Sequence, residues 1–436
     1  MNVGFVSLGC SKNLIDTEMA IGLFKNNEFN IVNDVSKAEI IVINTCGFIE
    51  SAKQEAIDTI LEMAKYKEEG TCKFLIAMGC LVQRYKKELE EAIPEVDLFL
   101  SIDEYDDFWN EIKELIKIES KSKNMLDYLD RVITTGRTTT YLKIAEGCSN
   151  KCTYCAIPYI RGSYVSRKME DILEEAKELA KKGYEEIIVI AQDTTKYGID
   201  IYGKQKLPEL LEKLCKIEGF KWIRFLYAYP ESITDELIQV VKNNEKICKY
   251  FDIPIQHISN PVLKRMNRKS TGQQIVELIE KIKKEIPEVV LRTSLIVGFP
   301  GETKEDFEKL YDFVKQGYFN KLGVFTYSKE DGTPAARLKE QIHPSTKRSR
   351  LAKIMKLANE LSRENLKKCI GKEYEVLIET KTFDDRYYIG RTYMDIPDTD
   401  GVIFIENTKP CAEGEWVKVR VKDIRDYDLV GELENR

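Results

Sequence analysis

Along the first 117 residues, short apolar runs take turns with longer stretches whose apolar residues recur every three or four positions. The runs at 3–8, 40–44, 74–78 and 98–100 have the length and branched side chains of strands. The stretches at 14–26, 52–67, 82–92 and 105–116 have the period of helices packed on one face. Strand and helix in alternation predict βαβ units on a parallel sheet.

A charged, irregular segment, 119–140, leads to a second series of apolar runs at 141–145, 187–191, 223–227, 251–255, 291–297 and 322–327, with helix-length amphipathic segments between them. Six such units without a second dinucleotide fingerprint predict an open, partial form of the parallel α/β barrel. Residues 345–368 predict one more helix. Leu351, Ile354, Met355, Ala358 and Leu361 share a face, and eight Lys or Arg against two Glu give the segment a net charge of +6. Such a run is first of all the solvated outer face of a packed helix. From Gly371 the pattern shortens to five strands, at 374–379, 387–392, 401–406, 416–422 and 429–433, as in a small antiparallel β-barrel. The predicted fold class is α/β in three parts: an open parallel α/β sheet domain at 1–117, a partial (β/α)6 barrel at 134–368, and the small barrel at 369–436.

Composition acts mainly by exclusion. With 43% hydrophobic and 32% charged residues among 436, the chain can bury several cores and is neither disordered nor fibrous. No apolar stretch reaches the roughly 18 residues of a membrane span, and the start, MNVGFVSLGC, lacks the basic and apolar regions of a secretory leader. These features place the chain in the cytoplasm and away from membranes. There, its eleven cysteines are expected to be thiolate ligands or free thiols, not a disulfide framework.

Cys148, Cys152 and Cys155 fall in GCSNKCTYCAIPYIRG as C-x3-C-x2-C, with the aromatic Tyr154 before the third. Three thiolates at this spacing suit an iron-sulfur cluster that needs four ligands, which leaves one iron open to a small molecule. A structural zinc site would need a fourth Cys or His nearby, whereas His257 and His343 both lie over a hundred residues downstream.

A second set is scattered along the first region. Cys10, Cys46 and Cys80 end the strand-like runs VGFVSLGC, IIVINTC and FLIAMGC, at intervals of 36 and 34 residues, close to one βα repeat each. In an open parallel sheet the C-terminal strand ends converge on the ligand crevice. These three are expected to meet there and hold a second cluster with one open iron. Cys72 precedes its strand and belongs at the opposite edge, and Cys215, Cys248, Cys369 and Cys411 have no partner at ligand spacing. The first loop, LGCSKN, has a single glycine and lacks the bare backbone of a pyrophosphate-binding turn.

These residues carry a family resemblance. A C-x3-C-x-aromatic-C loop at the start of a six-unit half-barrel resembles the radical S-adenosylmethionine enzymes. A domain with three scattered cysteines, then that barrel, then a small five-stranded TRAM-type barrel is similar to the methylthiotransferases over nearly the whole chain. SLGCSKNLIDTE, INTCGFIESAKQEAIDTI, YLKIAEGCSNKCTYCAIPYIRG and GRTYMDIPDTDGVIFIEN resemble the branch that modifies a ribosomal protein. Of the two transfer RNA branches, the one that modifies isopentenyl-adenosine typically shows glutamine and methionine where this chain has Ser11 and Lys12, and serine and arginine in place of Gly47 and Phe48.

The resemblance implies two 4Fe-4S clusters, one on Cys148, Cys152 and Cys155 beside Tyr154, the other on Cys10, Cys46 and Cys80. It implies S-adenosyl-L-methionine chelated at the first cluster's open iron and a sulfur methylated and delivered from the second. Gly298, in SLIVGFPGE, would line the cofactor's adenine, although Ser294 stands where many relatives have glycine. Gln192 and Asp193 follow the second barrel strand and Gln256 the fourth, where such a barrel places substrate and cofactor contacts. No catalytic side chain is singled out, because an unactivated C–H bond offers no proton that a side-chain base can take. The implied activity is methylthiolation at the β-carbon of an aspartate in small-subunit ribosomal protein S-twelve, with a low-potential electron donor as a further partner.

Charge bears on the substrate. Residues 371–436 hold ten Lys or Arg against sixteen Asp or Glu, a net of −6, while the remainder of the chain balances. An RNA-binding barrel neutralises phosphates with cations, so this one disfavours transfer RNA and suits a basic ribosomal protein, with Asp395, Asp398 and Asp400 of the loop MDIPDTDG as expected contacts. The basic segment 345–368 points the other way. A transfer RNA methylthiotransferase and a non-enzymatic iron-sulfur carrier are the alternatives; closed four-ligand clusters would mark the carrier, and the three-cysteine sets speak against it.

Overall fold

The computed structural model describes residues 1–118 and 125–434; the start of the expected connection, 119–124, lies outside them. The first part comprises β1 (Asn2–Ser7), α1 (Ser11–Asn26), β2 (Asn30–Val32), β3 (Ile40–Thr45), α2 (Glu50–Glu69), β4 (Phe74–Gly79), α3 (Cys80–Ala92), β5 (Leu98–Leu100) and α4 (Phe108–Ile116). Its five strands pair in parallel in the order β2-β1-β3-β4-β5. The continuous apolar run of β3 suits a strand covered on both faces. Ile41 and Ile43 pack with α2 and α3, whereas Ile40 and Val42 pack with α1 and α4.

Three local expectations need correction. Strand β2, Asn-Ile-Val, is too short to stand out as an apolar run and escapes pattern reading. Residues 102–107 form a 3-10 helix behind a Ser101/Glu104 capping box, so α4 begins at Phe108 rather than at 105. Helices α1 and α3 begin at Ser11 and Cys80, earlier than their apolar period indicates, because their first turns are polar or cysteine.

The middle part opens with β6 (Thr139–Lys143), the ribbon of β7 (Ala145–Glu146) and β8 (Val165–Ser166) around the short α5 (Ile157–Ile160), and α6 (Met169–Lys181). Then come β9 (Glu186–Ile190), α7 (Ile199–Tyr202), α8 (Leu207–Cys215), β10 (Trp222–Phe225), α9 (Asp235–Asn243), β11 (Tyr250–Asp252), α10 (Asn260–Arg265), α11 (Gly272–Glu285), β12 (Val290–Val297), α12 (Lys304–Lys315), β13 (Lys321–Thr326) and α13 (Pro344–Lys367). The six long parallel strands make the expected half-barrel, paired as β10-β9-β6 and β11-β12-β13. The seam between the triplets is crossed by one bridge, Ile223 to Ile247. Outward side chains such as Leu142, Ile187, Val189, Phe225 and Leu291 pack beneath the helices.

The inner face of the half-barrel is unusually charged at its lower, N-terminal rim, and the last part explains why. Strands β14 (Glu373–Lys381), β15 (Tyr387–Arg391), β16 (Ile403–Glu406), β17 (Trp416–Arg425) and β18 (Asp428–Leu433) close a barrel in the order β14-β15-β16-β18-β17. It is not wholly antiparallel as expected: β16 and β18 run parallel. This barrel plugs the lower rim. Arg391 donates to Glu186 at 2.7 Å and to Glu379 at 2.6 Å, while Arg224 reaches Glu186 at 3.3 Å and the Tyr393 carbonyl at 2.7 Å. Trp416 stacks edge-on against Trp222 with ring centres 4.6 Å apart. Burial alone would raise the Glu186 carboxyl, but Arg391 and Arg224 hold it below the ordinary carboxylate range.

The expected solvated acids of MDIPDTDG are therefore largely internal. Asp395 is buried and pairs with Lys321 at 2.6 Å, and Asp400 accepts from the Tyr250 hydroxyl at 2.7 Å. Only Asp398 of the three is exposed, at a left-handed turn position. On α13, Ile354, Leu357 and Leu366 are buried; Lys347 donates to the Tyr327 carbonyl and Arg350 pairs with Glu302, while the other six basic residues of the segment face solvent.

Breaking a buried ion pair by removing one partner costs about 3–5 kcal/mol. Glu186→Ala, which strands two buried arginines, is expected to lower the first thermal transition sharply and to speed proteolytic release of the C-terminal barrel. Asp398→Lys should move stability by no more than about 0.5 kcal/mol. Equal melting curves for the two variants would show that the charged rim does not hold the barrel in place.

Candidate functional site

The C-terminal ends of the first sheet and of the half-barrel face each other, and both cysteine sets sit between them. Cys10 is the residue before α1, Cys80 is the first residue of α3, and Cys46 follows β3. Two of the three thiols thus stand at helix N-termini, Cys10 as the cap of α1 and Cys80 in the first turn of α3. The three approach closely enough that Cys10 and Cys46 both act electrostatically on Cys80. Gly9, at φ +93°, makes this possible, since a Cβ there would lie 2.9 Å from Cβ of Cys46. Cys72 lies at the other edge of the sheet, donating to the Phe74 carbonyl near Lys67 and Asp97, apart from the trio.

Cys148, Cys152 and Cys155 converge in the loop between β7 and α5. The loop is stitched to its surroundings by backbone. Cys155 N donates to the Cys152 carbonyl, Thr153 N to Met266, and the Thr153 hydroxyl to Arg265. Asn150 ties it to Asp193 at 2.8 Å, which gives Asp193 a role in holding the loop. Tyr154 is stacked edge-on against Phe299, next to Gly298. Gly298 itself takes φ +72° and closes onto α13, its N–H bonded to Glu302 and its missing Cβ occupied by Lys347. Gln192 donates to Glu146 at 3.1 Å and leaves its own Oε1 buried and unpaired, and Gln256, four residues beyond β11, takes φ +70°.

Burial pushes the Cys80 and Cys155 thiols up to about 12 and raises Cys46 and Cys148 as well. Thiolates in such places need a cationic partner, and a metal centre supplies one. Among the described residues no three His, Cys, Asp or Glu groups close around a single metal ion. Three cysteine thiols without a fourth protein ligand are the donor set of an iron-sulfur cluster with one open iron. No disulfide joins any of the eleven cysteines, all of which are described; Cys215, Cys248, Cys369 and Cys411 lie away from both trios.

The polar residues that bring the trios together were not anticipated from sequence. Arg161, just beyond α5, donates from Nη2 to Asp16 at 2.8 Å, to Asn13 at 2.5 Å and to the Cys80 sulfur at 3.5 Å, and from Nη1 to Glu146 at 3.0 Å. Lys143 bridges Asp16 at 2.7 Å and Glu146 at 2.8 Å. Cys80 packs on Ala156 and Ile160, directly after Cys155. At the other trio, Arg268 approaches the Cys152 sulfur at 3.9 Å and lies over the Tyr229 ring. The available signal was charge in the wrong place: Lys143 in an apolar strand, and Asn13 and Asp16 on one side of α1. A cleft of about 530 Å³ between β13, α13 and the C-terminal barrel lies away from both trios.

An open (β/α)6 half-barrel with a C-x3-C-x2-C loop at its mouth defines a radical SAM enzyme, and the Radical SAM superfamily matches residues 142–314. The uncharacterized protein family UPF0004 matches residues 2–101 and the TRAM domain residues 370–433. A "Ribosomal protein uS12 methylthiotransferase RimO" of Alkaliphilus oremlandii is 66% identical over 434 residues, 99% of each chain. One of Acetivibrio thermocellus is 50% identical over 446 aligned positions, 99% of this chain and 98% of the relative. The chain belongs to this RimO-type family of radical SAM methylthiotransferases. Among solved structures, the radical S-adenosylmethionine methyltransferase TsrM of Kitasatospora setae shares the fold at TM-score 0.55 and 11% identity, over 74% of this chain and 72% of its own. Among the described residues no helix is long and apolar enough to cross a membrane.

His257, beside Gln256, is fully buried and accepts from Ser259 N at Nδ1, and burial lowers it to about 3. The native ring stays neutral while an unfolded chain takes up a proton below about 6.5. Its contribution to stability is therefore present above pH 6.5 and lost as pH falls toward 3. Between pH 7.5 and 5.5 the loss is about 1.4 kcal/mol. Denaturant titrations of the cluster-free chain should show this slope, and His257→Gln should flatten it; an unchanged slope would remove His257 as its source.

Proposed function

We propose that this chain methylthiolates the β-carbon of an aspartate in small-subunit ribosomal protein S-twelve. The observation that carries the proposal is the meeting of two three-cysteine sets across one interface, with Cys80 packed against the residue that follows Cys155. The 66% identity to a protein named for uS12 methylthiotransfer supports the same substrate.

In this scheme residues 1–117, 134–368 and 369–436 act as three domains. Cys148, Cys152 and Cys155 hold a 4Fe-4S cluster that binds S-adenosyl-L-methionine, with Tyr154 and Gly298 beside it, and Cys10, Cys46 and Cys80 hold a second. When bound, these groups supply radical chemistry able to take hydrogen from an unactivated C–H bond, and a methylated sulfur for delivery. The chain's own side chains do the rest. Arg161, Asp16, Glu146 and Lys143 fix the two cysteine loops relative to each other. The first domain lids the barrel mouth and excludes water that would quench a radical. Asn150 and Thr153 hold the loop of the first trio in shape.

A low-potential electron donor in the cytoplasm is the expected reductant partner. The net charge of −6 on residues 371–436 disfavours transfer RNA, although the exposed Asp384 and Asp385 are paired with Arg386 and Lys381. The exposed basic residues of α13 favour a transfer RNA substrate as the second reading.

Anaerobic reconstitution should load about eight irons per chain, falling to about four when Cys148, Cys152 and Cys155 are replaced by Ala, and likewise for Cys10, Cys46 and Cys80. Cys72→Ala should keep the full complement. Mass spectrometry of ribosomal protein S-twelve and of unmodified transfer RNA after parallel incubation tests the substrate: a methylthio group on the RNA and none on the protein would install the second reading. Cofactor cleavage surviving in the first triple variant would overturn the assignment of that trio.

A further inference from the structure

Lys12 is the second residue of α1, two positions after Cys10, and is 6% exposed. Its ammonium lies 3.2 Å above the centre of the Tyr227 ring, and among the described residues no carboxylate pairs with it. The acids nearest in sequence are engaged elsewhere: Asp16 by Lys143 and Arg161, Glu18 by Arg131 and Thr134. An aromatic face offsets only part of the desolvation of a cation. Burying a charge without an anion costs more than such a ring returns. A lysine held in this way is set up for an anion that arrives from outside.

The ring beneath it is deliberately placed. Tyr227 ends the strand run of β10 at φ +62°, a left-handed conformation that a bulky residue adopts only when its surroundings enforce it. Two hydrogen bonds do so here: Tyr227 N donates to Asp252 at 3.1 Å, and the Tyr227 carbonyl accepts from Thr194 N at 3.2 Å. Lys12 and Tyr227 come from different domains and meet at the barrel mouth, where the reacting side chain of the substrate must enter. On the neighbouring strand end, the buried Oε1 of Gln192 is a second polar atom without a partner.

We propose that Lys12 is the specificity residue for the target side chain, receiving the carboxylate of the aspartate that the substrate protein presents. The assignment rests on the function proposed above. It makes the carboxylate the recognised feature: an ammonium pairs with aspartate and loses most of that interaction with the neutral isostere asparagine.

The test uses the reconstituted chain with S-adenosylmethionine and no reductant, and two labelled peptides spanning the target loop of the ribosomal protein, one with the aspartate and one with asparagine. Fluorescence anisotropy is expected to give a preference for the aspartate peptide of about tenfold or more. Lys12→Met, close in shape but uncharged, should bring the ratio near one by weakening the aspartate peptide alone. Lys12→Arg should restore part of it. If Lys12→Met keeps the preference or weakens both peptides equally, the assignment fails while the proposed function stands. If Lys12→Met loses iron, the charge serves the second trio and the assignment also fails. A wild-type chain that binds transfer RNA and neither peptide overturns the assignment together with the function beneath it.

Discussion

The quartet of Asp16, Lys143, Glu146 and Arg161, buried save for a half-buried Glu146, governs the rest of the site. Two cations and two anions are enclosed where the first sheet meets the half-barrel, and each is bonded to at least two partners. Burial alone would lower Lys143 and raise Glu146, yet their partners hold both strongly in the charged form. Such a group is stable only as a set, since removing one member leaves an uncompensated charge in a medium that cannot solvate it. It therefore specifies one docking geometry more sharply than apolar contacts would. A second set, in which Arg131 reaches Glu18 at 3.6 Å and Glu175 at 3.3 Å, fixes the far end of α1, and Glu330 clasps Lys53 and Arg84 of the first domain at 3.3 Å each.

The half-barrel is closed by different physics at its two ends. The lower rim is sealed by Glu186, Arg224, Arg391 and a pair of tryptophans, all buried or half-buried and paired with one another save for the Nη2 of Arg224. At the mouth, several polar groups are left waiting: the Oε1 of Gln192, the ammonium of Lys12, and the thiols of two trios. Unpaired buried polar groups are uncommon, and several gathered at one mouth are what an incoming group would complete. The contrast assigns structure to one end and chemistry to the other, as in closed parallel barrels.

The architecture was legible because parallel α/β elements are built from unbroken apolar strands and strongly periodic helices. The same signals located Cys10, Cys46 and Cys80, because a residue that ends an apolar run also ends a strand. What escaped was whatever depends on a partner distant in sequence. Asp395 and Asp400 look like a solvated acidic loop until Lys321 and Tyr250 are brought beneath them. Arg161 looks like one more basic residue until α1 delivers Asp16 and Asn13 to it. Composition counts charges but does not say which are already neutralised, so the net charge of residues 371–436 overstated the field that the barrel presents to a partner.

Each cysteine trio has one arginine near a sulfur, and the two arginines are compensated differently. Arg161, 3.5 Å from the Cys80 sulfur, is matched by two carboxylates that also hold Lys143. Arg268, 3.9 Å from the Cys152 sulfur, has Glu231 at 3.8 Å, the Pro254 carbonyl at 2.9 Å and the face of Tyr229. Hydrogen bonds and positive charge at a thiolate sulfur favour the more electron-rich state of a metal centre. Arg161 is thus the closer and more fully compensated cation, and Arg268 the more distant and less fully compensated one. The asymmetry supports the proposed division, in which a cluster on the barrel's trio would take up an electron and one on the first domain's trio would supply sulfur, and it follows from side chains that lie outside both cysteine motifs.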